Sequence, residues 1–285
     1  MDNRDLINRE MRNINPIQFI ALILLLTTFT FFYFEYDSAV SSEDKEVILI
    51  LGNWDEEKID YLLGETSKIN DVGERIDFLS KQFLDVKYKE STLVGNIRAP
   101  EVLVINLEGM DCFTYLDYVE AMQHSDSFTE FVDNLKLTRY QSGDIDYAKR
   151  NHFFSDWEVF NSSKVTDLTK EVGGDNTKKV KKFLNKKEDG IYYLPGIPVV
   201  ERYIDYIPTT SVDKGVLDSL MTGDYIGIYS DEIGLDVSHT GMVIKNGDKV
   251  TFRHASSKEK YRKVVDEDFL TYISTKPGIV VLRPR

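Results

Sequence analysis

The chain has 285 residues, of which 42% are hydrophobic and 12% aromatic, and this composition is sufficient for a folded protein with a full hydrophobic core. Its formal net charge of -13 argues against a nucleic-acid partner, because phosphate binding requires clustered lysine and arginine. The single cysteine cannot form an internal disulfide and leaves one free thiol to be explained.

The first strong signal along the chain is an apolar segment near the N-terminus. Residues Ile17 to Phe34 are uncharged and nearly all apolar, and a membrane-spanning helix needs about 20 such residues. Arginines precede this segment and acidic residues follow it, namely Arg4, Arg9 and Arg12 before it and Glu35, Asp37, Glu43, Asp44 and Glu46 after it. The positive-inside rule therefore predicts an N-terminus in the cytoplasm and an exported body, periplasmic or at the extracytoplasmic face of the cytoplasmic membrane.

Two processing outcomes remain open for this segment. An uncleaved anchor is favoured because the apolar run is longer than a usual signal core, although Ala39-Val40-Ser41 is a small-x-small cleavage site. We divide the chain into residues 1–45, comprising cytoplasmic tail, membrane anchor or signal segment and linker, and one folded domain over residues 46–285.

The first part of the folded domain is predicted to be mainly helical. Val47 to Leu51 form an apolar run too short to assign to helix or strand. Apolar residues at helical spacing predict one helix starting at Asp55 and another over Val72 to Phe83. Pro100 to Ile105 are typical of a strand, and a further helix is predicted from about Phe128 to Leu137.

The only cysteine lies where a helix is predicted to begin. Gly109 interrupts the preceding strand, and Asp111 is a good N-cap for the apolar-periodic run that starts at Phe113. At a helix N-terminus the macrodipole favours the thiolate of Cys112, and unpaired N–H groups can receive an oxyanion. The sequence thus predicts a cysteine nucleophile with a lowered pKa, and the alternative is a small buried residue on a core helix.

Between Leu137 and Asn161 the apolar periodicity stops, and functional side chains cluster. They are Arg139, Tyr140, Arg150, His152, Phe153, Phe154, Ser155, Asp156 and Trp157. We expect a long, ordered loop that lines a site for a polar, saccharide-containing ligand, since arginine binds carboxylates and aromatic faces stack on sugars. The alternative is that the aromatic residues belong to the hydrophobic core. A zinc site at His152 and Asp156 is not favoured, because no third ligand follows at a recognisable spacing.

The C-terminal part is predicted to be rich in strands. Eight lysines between Lys164 and Lys187 indicate a solvated face. The predicted elements that follow are a helix over Val212 to Leu220, strands at Tyr225 to Tyr229, Ser238 to Ile244 and Lys249 to His254, a short helix capped by Asp266, and a final strand at Ile279 to Leu282.

Two histidines lie at matching ends of one predicted hairpin. His239 opens a strand, His254 ends the next, and Asn246-Gly247-Asp248 forms the turn between them. Antiparallel pairing about this turn places the two imidazoles near each other. One imidazole can take the thiol proton of Cys112 while the other orients it, which is the arrangement of nucleophile, base and orienter.

These motifs, in this order, resemble those of the NlpC-type papain-like cysteine hydrolases of bacterial cell walls. The matching stretches are Asp111-Cys112, Gly223-Asp224, Ser238-His239-Thr240-Gly241 and His254-Ala255-Ser256. Three more stretches are similar to the N-acetylmuramoyl-L-alanine amidase-like branch, namely Gly234 to His239, Arg139-Tyr140 to Asp156-Trp157, and Thr166 to Gly174. The likeness covers roughly Glu74 to Pro284.

The resemblance implies an α+β papain-like domain, with a helical N-terminal lobe carrying Cys112 and an antiparallel sheet carrying the histidines, behind one transmembrane or signal helix. It implies hydrolysis of the amide that joins N-acetylmuramic acid, in its anhydro or reducing form, to the L-alanine of the stem peptide. The substrates would be peptidoglycan fragments (muropeptides), and no metal or cofactor is required.

By the same resemblance Cys112 is the nucleophile, His239 the base and His254 the third, polar member. The implied substrate-binding residues are Tyr88, Asp111, Arg139, Tyr140, His152, Ser155, Asp156, Trp157 and Ser238. The usual Gly-x-x-Tyr motif is replaced here by Asp85-Val86-Lys87-Tyr88, which bears on substrate specificity. Two other functions stay open: an endopeptidase that cuts between D-glutamate and the diamino acid of the stem peptide, and a non-catalytic wall-binding module.

Overall fold

The computed structural model describes residues 47–285, so the predicted membrane segment Ile17 to Phe34 lies outside the described residues. Within residues 47–285 no helix is long and apolar enough to span a bilayer. This part of the chain contains eight α-helices and thirteen strands. The helices are α1 (Glu56–Thr66), α2 (Val72–Lys81), α3 (Cys112–Gln123), α4 (Phe128–Arg139), α5 (Phe154–Phe160), α6 (Thr169–Gly173), α7 (Lys214–Ser219) and α8 (Phe269–Ile273).

The strands form two sheets. They are β1 (Val47–Ile50), β2 (Lys87–Tyr88), β3 (Val94–Asn96), β4 (Ala99–Asn106), β5 (Gly109–Met110), β6 (Val165–Asp167), β7 (Lys178–Leu184), β8 (Val200–Pro208), β9 (Tyr225–Tyr229), β10 (Val237–Asn246), β11 (Lys249–Ser256), β12 (Lys263–Asp268) and β13 (Gly278–Pro284). The small sheet has the order β1-β4-β3, and the large sheet has the order β5-β2-β12-β11-β10-β9-β13-β8-β7, with β6 beside β13.

The N-terminal part is helical because its apolar residues recur on one helix face and its helices are capped. Asp55 and Asp71 each accept a hydrogen bond from a backbone N–H in the first turn of α1 and α2. The run starting at Val47, which the sequence left unassigned, is strand β1, since it pairs in parallel with β4 through Val47 and Leu103.

One edge of the large sheet belongs to this helical part. Strand β2 pairs in parallel with β5 and antiparallel with β12, so β5 is anchored to the sheet immediately before Cys112. Helix α3 then packs on the sheet, where the Thr240 hydroxyl donates a 2.9 Å hydrogen bond to the Cys112 carbonyl oxygen. The start of α3 is therefore fixed against β10.

Two hydrophobic clusters stabilise the described part. One includes Phe83 and Leu116 of the helical part and Tyr225 of the sheet, while the other includes Phe252 and Phe269. Burial of such side chains stabilises the fold by about 1.5–3 kcal/mol each.

Two predicted elements differ from the structure. Asp266 lies in strand β12 and pairs with Arg253, and the short helix α8 is capped by Asp268 instead. Strand β12 escaped prediction because four of its six residues are charged, as the sequence KVVDED shows. The predicted loop from Leu137 to Asn161 contains helix α5, whose seven residues are too few for a clear periodicity.

Candidate active site

Helix α3 begins at Cys112 because its first turn is capped. The Asp111 carboxylate oxygen Oδ1 accepts hydrogen bonds from the N–H groups of Phe113 (3.0 Å) and Thr114 (2.8 Å). The Thr114 hydroxyl accepts one from the Asp111 N–H at 3.0 Å, which completes a capping box. Asp111, predicted to bind substrate, is therefore used as a helix cap, and two of the N–H groups expected to receive an oxyanion are already bonded.

The Cys112 thiol does not have the lowered pKa that its helix position predicted. Burial raises its pKa to about 11, and the neighbouring Asp111 carboxylate adds to the rise, while hydrogen bonds from Thr240 and from the Cys112 N–H oppose it. Desolvation of the thiolate thus outweighs the favourable helix terminus. Cys112 rests as a protonated thiol and needs a base.

Cys112 and His239 line the same cavity, which has a volume of about 230 Å³. Of the predicted site residues, His152 and Ser238 line it as well. The other lining residues are Phe113, Phe153, Phe154, Tyr193, Leu194, Leu235, Asp236, Val237 and Thr240.

The two histidines are hydrogen-bonded to each other, as the hairpin pairing predicted. The His239 Nε2 and His254 Nδ1 atoms lie 2.7 Å apart, and the ring planes are nearly perpendicular at 88°. Strand β10 has a bulge between Val237 and His239, where Ser238 is the extra residue against β9. Bulges redirect neighbouring side chains, and this one accompanies the turn of His239 towards the cavity.

The chain of bonds continues beyond His254 to Glu267 on strand β12. The His254 Nε2 atom lies 3.0 Å from the Glu267 oxygen Oε1, which also accepts a 2.9 Å hydrogen bond from Lys258 Nζ. We call His239, His254 and Glu267 the histidine chain. It runs from the cavity wall into the sheet.

Both histidines are neutral at pH 7. Burial lowers the pKa of His239 to about 3, with the charges of Lys276 and Lys258 adding to the effect. Burial lowers the pKa of His254 to about 2, with His239 and Lys258 contributing. A neutral imidazole retains one acceptor nitrogen, so His239 is able to take a proton.

The imidazole of His254 is held by aromatic rings. Phe252 stacks on it with ring centroids 4.8 Å apart and an interplanar angle of 21°, and Tyr272 contacts it at 4.8 Å. A Cβ atom added at Gly241 would lie 2.5 Å from the Phe252 ring, so only glycine fits there. These contacts leave His254 little freedom to rotate.

Tyr88 lies near Cys112. The parallel pair β2–β5 places Tyr88 opposite Met110, two residues before Cys112. Burial raises the pKa of Tyr88 to about 12, and the charges of Cys112 and Asp111 add to the rise. Tyr88 is therefore close to Cys112, but it is not among the described residues that line the cavity shared by Cys112 and His239.

Arg139 and Tyr140, predicted to bind substrate, lie in the core. Arg139 is 1% exposed, and it donates hydrogen bonds to Asp117 Oδ2 (2.8 Å) and the Val104 carbonyl oxygen (2.7 Å). The buried Tyr140 hydroxyl donates to Glu101 Oε1 at 2.8 Å. Neither lines the cavity, and Arg139 Nε, Arg139 Nη1 and the Tyr140 hydroxyl are hydrogen-bonded inside the fold, whereas Arg139 Nη2 is buried without a hydrogen-bond partner.

Three further predicted residues support the cavity wall from behind. Asp156 Oδ2 accepts hydrogen bonds from the N–H groups of His152 and Phe153, both at 3.0 Å, and burial raises the pKa of Asp156 to about 6. The Ser155 N–H donates to Asp236 at 2.8 Å. Trp157 is fully buried and packs on Phe113, with ring centroids 5.8 Å apart.

Sequence reasoning missed Glu267, Tyr193 and Leu194. Glu267 lies on the unpredicted strand β12, where its alternation with Val265 is the one signal that places it on the face of His254. Tyr193 and Leu194 reach the cavity because the buried Asn185 amide bonds to Leu194 at both its N–H (2.7 Å) and its carbonyl oxygen (3.0 Å). No sequence pattern identifies the cavity that such a loop covers.

Both the sequence and the fold are similar to those of known proteins. A sequence profile of AmiA-like, N-acetylmuramoyl-L-alanine amidase-like proteins matches residues 78–279. Among solved structures, a Legionella pneumophila protein shares the fold with a TM-score of 0.68 at 24% identity, covering 80% of this chain and 94% of that chain. Comparison with curated protein sequences finds no match.

Two Bacteroides structures are also similar. An N-acetylmuramoyl-L-alanine amidase from Bacteroides uniformis is 26% identical with a TM-score of 0.59, covering 72% of this chain and 97% of that chain. A Bacteroides fragilis protein, provisionally described as a xylanase, is 29% identical with a TM-score of 0.58, covering 72% and 98%. The profile match spans more than half of the sequence and confirms the amidase-like part of the predicted resemblance. The chain therefore belongs to the N-acetylmuramoyl-L-alanine amidase-like family.

Proposed function

We propose that this protein is a cysteine-dependent peptidoglycan amidase that hydrolyses the bond between N-acetylmuramic acid, or its anhydro form, and the L-alanine of the stem peptide. The observation that carries this proposal is that Cys112 and His239 line one cavity while a chain of hydrogen bonds holds His239. The family match supports the substrate class. We also assign the fold to the papain-like, NlpC-type group, because a helix-borne cysteine faces sheet-borne histidines.

The proposed reaction starts from a neutral thiol and a neutral imidazole. His239 Nε2 is engaged by His254, so Nδ1 takes the Cys112 proton while the sulfur attacks the lactyl carbonyl carbon of the muramyl group. The imidazolium then gives this proton to the alanine nitrogen as the C–N bond breaks. The peptide leaves with a free amine, and the muramyl group remains as a thioester on Cys112.

Hydrolysis of the thioester completes the cycle. Neutral His239 takes a proton from water, the hydroxide attacks the thioester carbonyl, and the thiolate leaves and regains the proton. The Cys112 N–H, at the start of α3, is the group placed to stabilise the oxyanion in both steps, because Asp111 occupies the next two N–H groups.

The cavity suits a ligand with a sugar part and a peptide part. Four aromatic side chains line it, Phe113, Phe153, Phe154 and Tyr193, and such rings stack on sugar faces. Tyr193 also lines a more open cleft of about 770 Å³. A substrate that extends from Cys112 past Tyr193 therefore has room both in the cavity and in the cleft.

A glycosidase activity is not favoured by the same cavity. Glycoside hydrolysis normally uses a pair of carboxyl groups. Among the described residues that line the cavity, Asp236 is the only carboxylate, and its oxygens accept hydrogen bonds from the N–H groups of Ser155 and Val237. The xylanase description of the Bacteroides fragilis protein is therefore not extended to this chain.

Defined muropeptides test the proposal. The protein is incubated with an anhydro-muramyl tetrapeptide, its reducing muramyl counterpart and the free tetrapeptide. The products are identified by mass spectrometry, and the Cys112→Ala variant is treated in parallel as the control. We expect a free peptide and a free muramyl acid, with no products from Cys112→Ala. Cleavage of the free tetrapeptide next to D-glutamate would identify an endopeptidase, and equal binding without turnover by both proteins would identify a wall-binding module.

Export is part of the proposal, because the substrate lies outside the cytoplasm. It rests on the arginine-before, acid-after asymmetry around residues Ile17 to Phe34. A reporter enzyme fused after Ser41 should be active outside the cytoplasmic membrane. A reporter that stays in the cytoplasm would contradict the proposal, because the protein could not then meet peptidoglycan.

A further inference from the structure

We infer that Glu267 is a positioning residue for the proposed amide hydrolysis: it sets the tautomers of His254 and His239 so that the His239 Nδ1 lone pair faces the cavity. This inference rests on the proposed function for its kinetic consequence. The tautomers themselves follow from hydrogen-bond chemistry alone.

The direction of the histidine chain is set at its Glu267 end. A carboxylate only accepts hydrogen bonds, so the 3.0 Å contact requires a proton on His254 Nε2. Neutral imidazole carries one N–H, and His254 Nδ1 is therefore an acceptor. The 2.7 Å contact then requires a proton on His239 Nε2, which leaves Nδ1 of His239 unprotonated.

Glu267 is well held for this task. Lys258 Nζ donates to both of its carboxylate oxygens, at 2.9 and 3.1 Å, and Lys260 Nζ lies 3.9 Å from Oε2. The pairing of Phe252 with Glu267 across β11 and β12 puts the carboxylate on the face of His254. His254 is only 1% exposed, so solvent does not readily replace a lost acceptor.

A purely structural ion pair would hold the same residues together, so the decisive readout is the position of the ring protons. Full-length Cys112→Ala protein is labelled with ¹⁵N-histidine, and the signals of His239 and His254 are identified as the two that remain when those of His124 and His152 are removed by substitution. Proton–nitrogen correlation spectra should show both rings protonated at Nε2 and not at Nδ1.

Two substitutions and one control complete the test. Glu267→Leu should turn the single tautomer of each ring into a mixture and lower kcat about 10- to 100-fold, the range typical when a group that orients a metal-binding histidine is removed, with KM nearly unchanged. Glu267→Gln keeps an acceptor oxygen and should restore both readouts most of the way. Glu259→Leu removes an exposed carboxylate from the same β11–β12 connection and should change neither.

Tautomers that stay unchanged in Glu267→Leu, or a fall in kcat without a change in tautomer, would overturn the inference. If Glu267→Leu does not fold, Glu267→Gln decides: protonation of both rings at Nε2 together with a kcat that falls as far as expected for Glu267→Leu would overturn the inference, and so would reversed tautomers with an unchanged kcat. A wild-type protein that cleaves no muropeptide refutes the proposed function but leaves the spectra to decide the tautomers.

Discussion

The histidine chain and the segment of residues 139–157 are both dense in polar side chains, yet they differ in how their bonds end. In the segment, charged groups pair with partners inside the fold: Arg139 with Asp117, Arg150 with Glu101, and Asp156 with Arg202. In the histidine chain, Glu267 closes one end while His239 reaches the cavity at the other. Ion pairs whose members are all bonded inside the fold, which we call the closed set, hold the cavity wall in position. The histidine chain is open, because it ends at the cavity and can exchange a proton with a ligand there.

This difference corrects a common sequence argument. The arginines and aromatic residues clustered in residues 139–157 predicted contacts with a ligand. Most of them instead lie in the core and support the wall of the cavity. Buried polar groups must be paired, so a large domain needs such clusters for folding as well as for chemistry. The useful distinction is whether a ring nitrogen or thiol remains directed at a cavity.

The largest effect expected from breaking the open chain is at His239. His239→Ala removes the general base for a thiol whose pKa lies near 11, so kcat for the muropeptide should fall by about 10²- to 10⁴-fold. His254→Asn should retain measurable activity, because an amide still accepts from His239. The opposite order of activities, measured under saturating substrate, would assign the base to His254.

Breaking the closed set should instead cost stability. Arg139→Leu leaves the Asp117 carboxylate buried without its partner, and removing one member of a buried pair costs about 3–5 kcal/mol. Urea unfolding measures this loss, and kcat of the remaining folded protein should stay close to wild type. The double variant Arg139→Leu with Asp117→Leu should recover most of the stability, and a large loss of kcat in the folded protein would place Arg139 in the site after all.

The sequence anticipated what depends on local patterns. Helix caps, the apolar periodicity and the Asn246-Gly247 turn placed Cys112 at a helix start and brought His239 next to His254. It missed what depends on tertiary burial: the rise in the pKa of Cys112, the burial of Arg139, and Glu267 on a charged strand. Propensity scales treat a charged run as surface, but β12 is paired on both sides.

The third expected effect is a pH dependence of folding stability that arises from His254 in the histidine chain. Because the folded-state pKa of His254 is near 2 and the unfolded value near 6.5, only the unfolded chain gains this proton below pH 6.5. His254 should therefore lower stability as pH falls, by about 1.4 kcal/mol per pH unit. The stability difference between wild type and His254→Gln should shrink from pH 7 to pH 5. A difference that grows on acidification would mean that His254 is protonated against Glu267 and not neutral.

The smallest effect concerns Asp111, which belongs to both kinds of region, since its carboxylate caps α3 and also lies beside the thiol. Asparagine is an equally good N-cap, so Asp111→Asn keeps the helix start while removing the charge that helps to raise the pKa of Cys112. Iodoacetamide should therefore label Cys112 faster at pH 8 in this variant than in wild type, because only the thiolate reacts.

The pH profile and a matched substitution make this test specific. Because the pKa of Cys112 is near 11, the thiolate fraction of the wild-type protein rises about tenfold per pH unit between pH 7 and pH 10. The labelling rate should rise by the same factor. Asp55 caps α1 in the same way but is not among the groups that shift Cys112, so Asp55→Asn should leave the labelling rate unchanged. A wild-type rate that is already constant below pH 7 would mean that the helix terminus outweighs burial and that the thiolate is present before substrate binds.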